Sequence, residues 1–257
     1  MDLIQSRQNP LVKTCIKLAG QRRERLKSGL TLLDGPHLLM AALDASLPPE
    51  RVLVAQSALD RPEIQALLAR TTAPKALLDD ELFASLSELE SISGILALWR
   101  YPEAPAARSR GLVLALDGVQ DPGNVGSILR TAAAAGVEQV WLNPACADAW
   151  SPKVLRAGMG AHFLLPILER VELPALLAQF SGKVAVTALA NSISLYQADL
   201  RGDLALVMGS EGSGVSTEVM QQAGLRLTIP MRPGLESLNV GAATAICLYE
   251  RLRQAGG

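Results

Sequence analysis

The sequence Gly209-Ser-Glu-Gly-Ser-Gly214, followed by Ile229-Pro-Met-Arg-Pro-Gly-Leu-Glu-Ser-Leu-Asn-Val240, decides the predicted fold of this chain. The first stretch follows residues 204–208, a continuous apolar run that is typical of a strand buried on both faces. The second stretch includes the end of a similar run, residues 225–229. Because open α/β sheets bind ligands at the carboxyl ends of adjacent strands, the two loops predict a pocket for a small molecule.

The first loop carries three glycines within six residues, which lets its backbone approach a ligand closely. The pattern is neither GxGxxG nor followed by Lys-Ser/Thr, so it does not favour a dinucleotide fingerprint or a phosphate-binding P-loop. The alternative is a flexible turn between a strand and a helix, with Ser216 or Thr217 as the N-cap. Glu211 within the loop is available to a ribose hydroxyl, to an arginine or to water.

Two further segments offer polar side chains at helix starts. Asn124 is predicted to cap a helix that Gly136 ends, and Arg130 follows about one and a half turns later, where it is available to a phosphate or a developing oxyanion. The alternative is an ordinary capped helix with a solvated arginine. Ser237 and Asn239 precede the last helix, and capping alone would also explain both of them.

Composition limits the classes of protein that remain. The chain has 257 residues, of which 49% are hydrophobic and only 4% aromatic, as in ordinary globular α/β proteins. A formal net charge of −1 gives no overall attraction to nucleic acid. The first 30 residues nevertheless carry seven basic against two acidic side chains. This basic helix is either a solvated face or a surface for an RNA backbone.

The cysteines and histidines do not indicate a metal site or a disulfide framework. Cys15, Cys146 and Cys247 are far apart and lack CxxC spacing, and His37 and His162 lack neighbouring ligands, so both histidines are assigned to packing. The first residues lack the apolar core of a signal peptide, and no apolar run reaches membrane-spanning length. The sequence therefore predicts a cytoplasmic protein without a resident metal.

Short strands and helices alternate along the whole chain, which predicts two α/β domains. We predict a small α/β sandwich over residues 1–100, beginning with one helix from Asn9-Pro10 to about Gly29, and a linker over residues 101–110. The second domain, residues 111–257, is expected to hold a mostly parallel sheet. Its roughly six strands are predicted at residues 112–116, 138–142, 162–165, 183–189, 204–208 and 225–229.

Taken together, three blocks resemble the SpoU/TrmH family of SPOUT RNA 2′-O-ribose methyltransferases. They are Asn124-x-Gly-x-x-x-Arg130, Gly209-x-Glu-Gly-x-Gly214 and Ile229-Pro-Met-x(5)-Ser237-Leu-Asn239, in the family's order. Residues 151–161 are similar to the segment that the family carries between its first two blocks, and residues 9–97 are similar to its substrate-binding domain. Two positions depart from the pattern: Ser210 replaces a common asparagine, and Gly241 replaces a frequent serine.

The resemblance implies an α/β domain with a deep trefoil knot, whose loops hold S-adenosylmethionine chiefly through backbone groups. It also implies a homodimer, for which the apolar stripe of the helix over residues 239–253 is suited. The cofactor-binding residues that it implies are Leu189, Gly209, Glu211, Gly212, Ile229, Met231 and Leu238.

The resemblance assigns the catalytic roles as well. Arg130 is expected to stabilise the developing 2′-alkoxide and the adjacent phosphate, because a guanidinium keeps its proton and makes a poor base. Asn124, Glu211, Ser237 and Asn239 are expected to position it, the ribose and the cofactor. The methyl group of a sulfonium is already activated, so the reaction needs no metal. The RNA-binding residues proposed on this basis are Arg7, Lys13, Arg22, Arg23 and Arg130.

Three alternatives stay open at this point. A nicotinamide-dependent oxidoreductase shares the α/β pattern, but residues 116–121 lack the glycine fingerprint that it requires. A non-catalytic RNA-binding or ribosome-assembly protein would use the basic helix equally well, but it would not bind S-adenosylmethionine. Within the enzyme class, tRNA is the second substrate to consider, and the dedicated N-terminal domain favours rRNA by analogy only.

Overall fold

A computed structural model describes residues 3–87, 89, 92–235 and 237–256 of the chain. These residues form two compact units. The first unit contains the residues up to Glu103 together with Trp150–Phe163, and the second contains Ala104–Ala149 and the residues from Leu164 onward. The first unit is therefore discontinuous in sequence. The predicted division into functional domains at residues 101–110 stays a prediction.

The first unit is a five-stranded mixed sheet with helices, in the strand order β1-β4-β3-β5-β2. Strands β1 and β3 run parallel to β4, whereas β5 runs antiparallel to both β3 and β2. Its elements are β1 (Leu3–Ile4), α1 (Pro10–Gly20), α2 (Arg22–Ser28), β2 (Leu30–Asp34), α3 (Pro36–Asp44), β3 (Arg51–Ala55), α4 (Pro62–Ala69), β4 (Lys75–Leu78), α5 (Asp80–Ala84), β5 (Ile95–Arg100) and, from later in the chain, α7 (Pro152–Gly158).

The prediction of one helix from Asn9 to about Gly29 is wrong, because the helix breaks at Gln21. That residue is extended, with φ −123° and ψ 107°. The buried Arg25 side chain donates hydrogen bonds to the carbonyl oxygens of Leu18 and Ala19 at the end of α1. These bonds satisfy acceptors that a continuing helix would have used, so the break is stabilised from the second helix.

An aromatic cluster holds Trp150–Phe163 within the first unit. The Trp150 ring stacks on Tyr101, with ring centroids 4.8 Å apart and planes 6° from parallel. The Phe163 ring meets Trp99 edge-on at 5.1 Å. Offset-stacked and edge-to-face geometries are the favourable arrangements for aromatic pairs. Trp150–Phe163 thereby completes the core of the first unit, although this segment comes about fifty positions after the rest of that unit in the sequence.

A buried carboxylate, Asp34, anchors α7 to the end of β2. Its oxygens accept hydrogen bonds from the hydroxyls of Ser87 (2.6 Å) and Ser93 (2.9 Å), and from Arg156 of α7 (3.1 Å). The side chain of Asp34 is only 2% exposed, and that of Arg156 is 19% exposed. A buried charge needs such partners, so this cluster fixes the position of α7 in the unit.

The second unit is built on a seven-stranded sheet in the order β10-β12-β9-β11-β6-β7-β8, and all of its described pairs are parallel. This confirms the predicted α/β class with a mostly parallel sheet. Its elements are β6 (Leu112–Asp117), α6 (Pro122–Ala134), β7 (Gln139–Leu142), β8 (Ile167–Glu169), α8 (Leu173–Gln179), β9 (Lys183–Thr187), β10 (Ile193–Ser194), β11 (Leu204–Gly209), α9 (Thr217–Met220), β12 (Leu225–Thr228) and α10 (Val240–Gln254).

One predicted strand of this sheet is wrong, and two observed strands, β8 and β10, lie outside the predicted ranges. Residues 162–165 were predicted as a strand, but Ala161–Phe163 is a 3-10 turn of the first unit and β8 begins only at Ile167. His162 and Leu165 are buried there but Leu164 is 76% exposed, and a short apolar run does not distinguish a strand from such a turn. The short edge strand β10 was not predicted.

The order of the strands brings three loops together. Strands β9, β11 and β12 are neighbours, since β9 pairs with both of the others. On the far side of β11 lies β6, with Gly209 in register with Asp117. All four strands point the same way, so their carboxyl ends share one edge of the sheet. The predicted pocket belongs at this edge.

The three cysteines are free and buried. Burial raises the pKa of the Cys15 and Cys247 thiols to about 12, and it raises the pKa of Cys146 as well. All three thiols therefore stay protonated at neutral pH and are poor nucleophiles.

Within the described ranges, no helix is long and apolar enough to span a membrane.

Candidate active site

A cavity of about 590 Å³ lies at the carboxyl ends of β9, β11 and β12. Its wall is formed by residues 187–191, by residues 208–215 and by parts of the segment that leads from β12 into α10. All seven predicted cofactor-binding residues line it: Leu189, Gly209, Glu211, Gly212, Ile229, Met231 and Leu238. Their direct contact with a cofactor stays a prediction, but the sequence did identify one common site.

The glycine-rich loop forms a tight turn. The Ser210 N–H donates to the Gly214 carbonyl (3.1 Å), and the Gly214 N–H donates to the Ser210 carbonyl (3.0 Å). The hydroxyls of Ser210 and Ser213 lie 2.7 Å apart and form a further hydrogen bond across the turn. A Cβ atom at the buried Gly209 would overlap the backbone of Gly214 and Val215. Glycine is needed at position 209 because the chain folds directly back on itself there.

The cavity has an apolar wall with few charges. Ile229, Met231 and Leu238 line the cavity and are partly buried. Leu189 also lines it but is 71% exposed. Among the described residues that line it, Arg226 is the only basic one and Glu211 the only acidic one. An apolar pocket with a few placed polar groups is typical of a site for a small organic molecule.

Glu211 is the centre of a hydrogen-bond network beside this cavity. Its Oε1 atom accepts from Asn239 Nδ2 (2.8 Å), Asn124 Nδ2 (3.0 Å) and the Val240 N–H (3.3 Å). The two amides also bond to each other, since Asn239 Nδ2 donates to Asn124 Oδ1 at 3.0 Å. One residue from each of the three sequence blocks therefore meets in a single cluster, although they are as much as 115 positions apart.

Helix starts set the positions of both asparagines. Asn239 is the N-cap of α10, and its Oδ1 accepts from the N–H groups of Gly241 (3.0 Å) and Ala242 (3.2 Å). The prediction that Asn124 caps α6 is wrong: the N-cap is Asp121, which accepts from the Asn124 N–H at 2.8 Å. Because Asp121 takes the capping role, the Asn124 side chain is free to join the network.

Arg130 and Ser237 are not part of this network. Arg130 is exposed on α6, six positions after Asn124, and no hydrogen bond or ion pair joins its side chain to another described residue. Its guanidinium is therefore free for an anionic ligand. Ser237 is exposed and lines the cavity. Of the five predicted catalytic residues, three form the network: Asn124, Glu211 and Asn239. Arg130 lies on α6, the helix that carries Asn124, and Ser237 lines the cavity.

The predicted RNA-binding residues of the first unit lie on or next to α1 and α2. Arg7, Lys13 and Arg23 are exposed, whereas Arg22 is partly buried. The exposed three leave their charges in solvent, as a surface for a nucleic-acid backbone requires.

Three residues near the site were missed by the sequence analysis. Asp117 is buried behind the glycine turn, and Asn143 donates to it at 2.6 Å. Arg226 lies within a strand and lines the cavity. Asp117 and Asn143 each follow the last residues of an apolar run, which is a signal that could have found them; an arginine inside a predicted strand carries no such signal.

The two departures from the family pattern have structural consequences. Ser210 supports the turn through its hydrogen bond with Ser213. A Cβ atom at Gly241 would lie 3.1 Å from Asn239 Oδ1 and 3.2 Å from Ser127 Oγ, so the site around Gly241 is already full. The absence of a side chain at position 241 leaves room for the Ser127 hydroxyl.

Comparison with known proteins agrees with this geometry. Residues 111–249 match the model of the SpoU rRNA Methylase family, and residues 9–97 match that of the MRM3-like substrate binding domain. The chain is 37% identical to an uncharacterised tRNA/rRNA methyltransferase (slr1673) of Synechocystis sp., with 98% of this chain and 93% of that protein covered. It is 35% identical to the 23S rRNA (guanosine(2553)-2′-O)-methyltransferase RlmP of Bacillus subtilis, with 97% and 98% covered.

A solved structure gives the same result. An AdoMet-bound rRNA methyltransferase from Sinorhizobium meliloti superposes with a TM-score of 0.85 at 26% identity, and the match covers 98% of this chain and 97% of that one. The fold and the site thus define a SPOUT-type methyltransferase with an N-terminal substrate-binding domain. The chain belongs to the SpoU rRNA methylase family. The predicted enzyme class and its cofactor, S-adenosylmethionine, are confirmed; the trefoil knot stays a prediction.

Proposed function

We propose that this chain transfers a methyl group from S-adenosylmethionine to the 2′-hydroxyl of a ribose in ribosomal RNA. The observation that carries the proposal is the Glu211 cluster, which joins all three family blocks at the margin of the cavity. The names of the relatives support rRNA as the substrate class, since two are 23S rRNA guanosine-2′-O-methyltransferases and a third is a mitochondrial rRNA methyltransferase.

The cavity suits the cofactor in size and chemistry. A volume of about 590 Å³ is in the range of sites for drug-sized ligands. Ile229, Met231 and Leu238 would hold the adenine and thioether portions, and backbone groups of the turn after Gly209 would contact the polar atoms. Arg226, the only basic side chain among the described residues of the wall, would pair with the carboxylate of the amino-acid portion. The bound cofactor supplies a methyl group already activated by its sulfonium.

Arg130 has the chemistry that the acceptor hydroxyl needs. A ribose 2′-hydroxyl is a weak acid, so its attack is helped by a positive charge at the oxygen where negative charge develops. The guanidinium keeps its proton, which makes it a stabiliser of that charge and a clamp for the neighbouring phosphate rather than a base. Its free, exposed position on α6 is compatible with both contacts.

The amides of the Glu211 cluster would orient the reaction. Because Glu211 accepts from two asparagines and a backbone N–H, it holds α6 and the start of α10 in a fixed relation. Arg130 projects from the same helix as Asn124, and Ser237 precedes Asn239 by two positions, so both are positioned by this relation. Such orientation is how an enzyme without a metal or covalent intermediate lowers its barrier.

The protein is expected to act as a homodimer located in the cytoplasm. Helix α10 keeps apolar and aromatic surface outside its packing on α6, including Tyr249 at 50% exposure. Equilibrium sedimentation should give twice the chain mass of 27.2 kDa, and a mass of one chain would contradict the dimer. Fractionation of cells that express the tagged chain would test the compartment.

The direct test of function is methyl transfer to purified ribosomal RNA and to tRNA from labelled S-adenosylmethionine. Transfer to a ribose protects the adjacent phosphodiester from alkaline hydrolysis, which locates the modified nucleotide. Methylation of tRNA alone would replace rRNA as the substrate class. Binding of RNA without binding of S-adenosylhomocysteine would identify a non-catalytic relative and overturn the proposal.

The role of Arg226 is tested by calorimetry on the same protein. Arg226→Met should weaken the binding of S-adenosylhomocysteine by about tenfold, the equivalent of one charge-assisted hydrogen bond. It should leave the affinity for 5′-methylthioadenosine unchanged, since that compound has no carboxylate. Equal losses for both compounds would show that Arg226 only shapes the cavity.

The basic N-terminal surface makes a separate prediction about RNA. Each phosphate contact that is lost should reduce the slope of log affinity against log salt by about 0.7 for single-stranded RNA. Replacing Arg7, Lys13 and Arg23 with alanine should therefore reduce the slope by about 2 in filter-binding titrations, with S-adenosylhomocysteine binding unchanged. An unaltered slope would assign these side chains to an ordinary solvated surface.

A further inference from the structure

Asp117 is a buried carboxylate that lies behind the cofactor cavity and does not line it. It ends β6 and is 5% exposed. Its Oδ2 atom accepts from the Ser216 N–H at 2.7 Å, and its Oδ1 atom accepts from Asn143 Nδ2 at 2.6 Å. Asn143 in turn uses its Oδ1 atom to accept from the Gly118 N–H at 3.0 Å. These bonds connect three loops at the same edge of the sheet.

Both ends of the glycine-rich turn are fixed relative to this residue. The turn leaves β11 at Gly209, which is in register with Asp117 on the neighbouring strand. After the turn the chain returns to Asp117 through the N–H of Ser216, which is the N-cap of α9. Between these two points the turn has its own bonds, from Ser210 to Gly214. The wall of the cavity is thus a closed loop anchored on one carboxylate.

The direction of each hydrogen bond is determined. An ionised carboxylate only accepts, so Ser216 and Asn143 must both donate to Asp117. The amide of Asn143 must therefore point its nitrogen at Asp117 and its oxygen at Gly118. A rotation of this amide by 180° would place two donors against each other at Gly118 and leave Asp117 without its second partner. A buried network of this kind has one satisfied arrangement.

We infer that Asp117 is a positioning residue for the cofactor: it holds the turn after Gly209 in the shape that forms the cavity wall. It acts through the backbone at Ser216 and does not touch the cofactor itself. The inference rests on the proposal that S-adenosylmethionine occupies the cavity lined by Gly209. A purely structural role would lower stability alone, whereas a positioning role also changes cofactor affinity.

The first variant is Asp117→Asn. The new amide can accept from Ser216 only if its nitrogen faces the nitrogen of Asn143, and neither orientation of Asn143 satisfies every partner. Affinity for S-adenosylhomocysteine should fall by about tenfold, the lower end of what outer-shell partners contribute at metal sites. The KM for S-adenosylmethionine should rise by a similar factor, with kcat at saturating cofactor and RNA changed far less.

A second substitution should restore the network. In the double variant Asp117→Asn, Asn143→Asp, the amide and the carboxylate exchange places. The amide at position 117 would accept from the Ser216 N–H and donate to the carboxylate at position 143. That carboxylate would also accept from the Gly118 N–H, so all four groups are again satisfied. We expect the affinity to return to within about twofold of the original, since the number of bonds is unchanged. Asn143→Asp alone would place two carboxylates together and should be the least stable of the three.

A third variant breaks the connection to the turn. Ser216 has φ −60°, which a proline can adopt, and Ser216→Pro replaces the N–H donor with a ring Cδ atom that Asp117 cannot bond. The Asp117 carboxylate must therefore move away from position 216. This variant should weaken cofactor binding as Asp117→Asn does. The matched control is Asp203→Asn, because Asp203 also accepts from a backbone N–H, that of Gly111 at 3.0 Å, but at the opposite end of β6. The control should bind the cofactor normally.

Calorimetric titration with S-adenosylhomocysteine, at a temperature well below the melting point of every variant, decides the question. Asp117→Asn and Ser216→Pro with normal affinity would overturn the inference, whatever their melting temperatures. A folded double variant that still binds weakly would also overturn it, and this arm remains informative if the single variants do not fold. If the unaltered protein fails to bind S-adenosylhomocysteine, the proposed cofactor site itself is wrong. That result differs from a failure of the Asp117 inference, in which the unaltered protein binds and the variants bind equally well.

Discussion

Replacing Arg130 with alanine should lower kcat for ribose methylation by about 10²- to 10³-fold, the usual effect of removing one donor that stabilises a developing oxyanion. The affinity for S-adenosylhomocysteine should stay within about twofold, because Arg130 does not line the cofactor cavity. Single-turnover methylation of saturating RNA, beside calorimetric titration with S-adenosylhomocysteine, measures both quantities. The loss should be in kcat rather than in the KM for the cofactor.

Two further variants separate charge from geometry. Arg130→Lys keeps the positive charge but loses the planar fork, so it should recover only part of the rate. Arg110→Ala removes an exposed arginine that precedes the amino-terminal end of β6, whereas the site lies at the carboxyl end of that strand. This control should have no effect on kcat. If Arg130→Ala methylated RNA at the normal rate, the central catalytic assignment would be wrong and the developing charge would have to be stabilised elsewhere.

Replacing Gly209 with alanine should abolish or severely weaken cofactor binding. The added Cβ would overlap the backbone of Gly214 and Val215, so the turn would have to open, and a displacement of about 1 Å at a site of this kind can cost about 100-fold. The crowding should also lower the free energy of unfolding by about 1–3 kcal/mol. Titration with S-adenosylhomocysteine and urea denaturation would measure the two effects.

The matched control for this change is Gly224→Ala. A Cβ atom there would meet nothing closer than the Val184 carbonyl oxygen at 4.0 Å, so the same chemical change is accommodated without crowding. We expect normal cofactor binding and a change in unfolding free energy within about 0.5 kcal/mol, as for most surface substitutions. If Gly209→Ala bound S-adenosylhomocysteine normally, the turn would have to accommodate the added Cβ atom, and glycine would not be required at position 209.

The predictions that succeeded are those in which a local pattern has one structural meaning. The apolar runs before Gly209 and Ile229 were long enough to identify strands, and their parallel arrangement places the loops that follow at one edge. The resemblance supplied which residues of those loops to name. All seven predicted cofactor-binding residues line one cavity, and their contact with the cofactor stays a prediction.

The predictions that failed depended on partners distant in sequence or on a competing neighbour. Asn124 had the identity of an N-cap, but Asp121 occupies that position and leaves Asn124 to the Glu211 cluster. Within residues 162–165, His162 is buried in a short turn of the first unit whereas Leu164 is 76% exposed, and an apolar run by itself does not show whether a strand forms. For Asn124 the competing residue lies only three positions earlier, whereas His162 packs against Trp150, twelve positions earlier.

The contribution of Trp150–Phe163 to the first unit affects how this protein can be recombined with its relatives. An exchange of the substrate-binding module at a single crossover near residue 103 would take Tyr101 and Asp34 from one parent, but Trp150 and Arg156 from the other. A stacked ring pair and a buried ion pair would then have to match across parents. Chimaeras designed to change RNA specificity therefore need two inserts, and evolution by simple domain shuffling faces the same restriction.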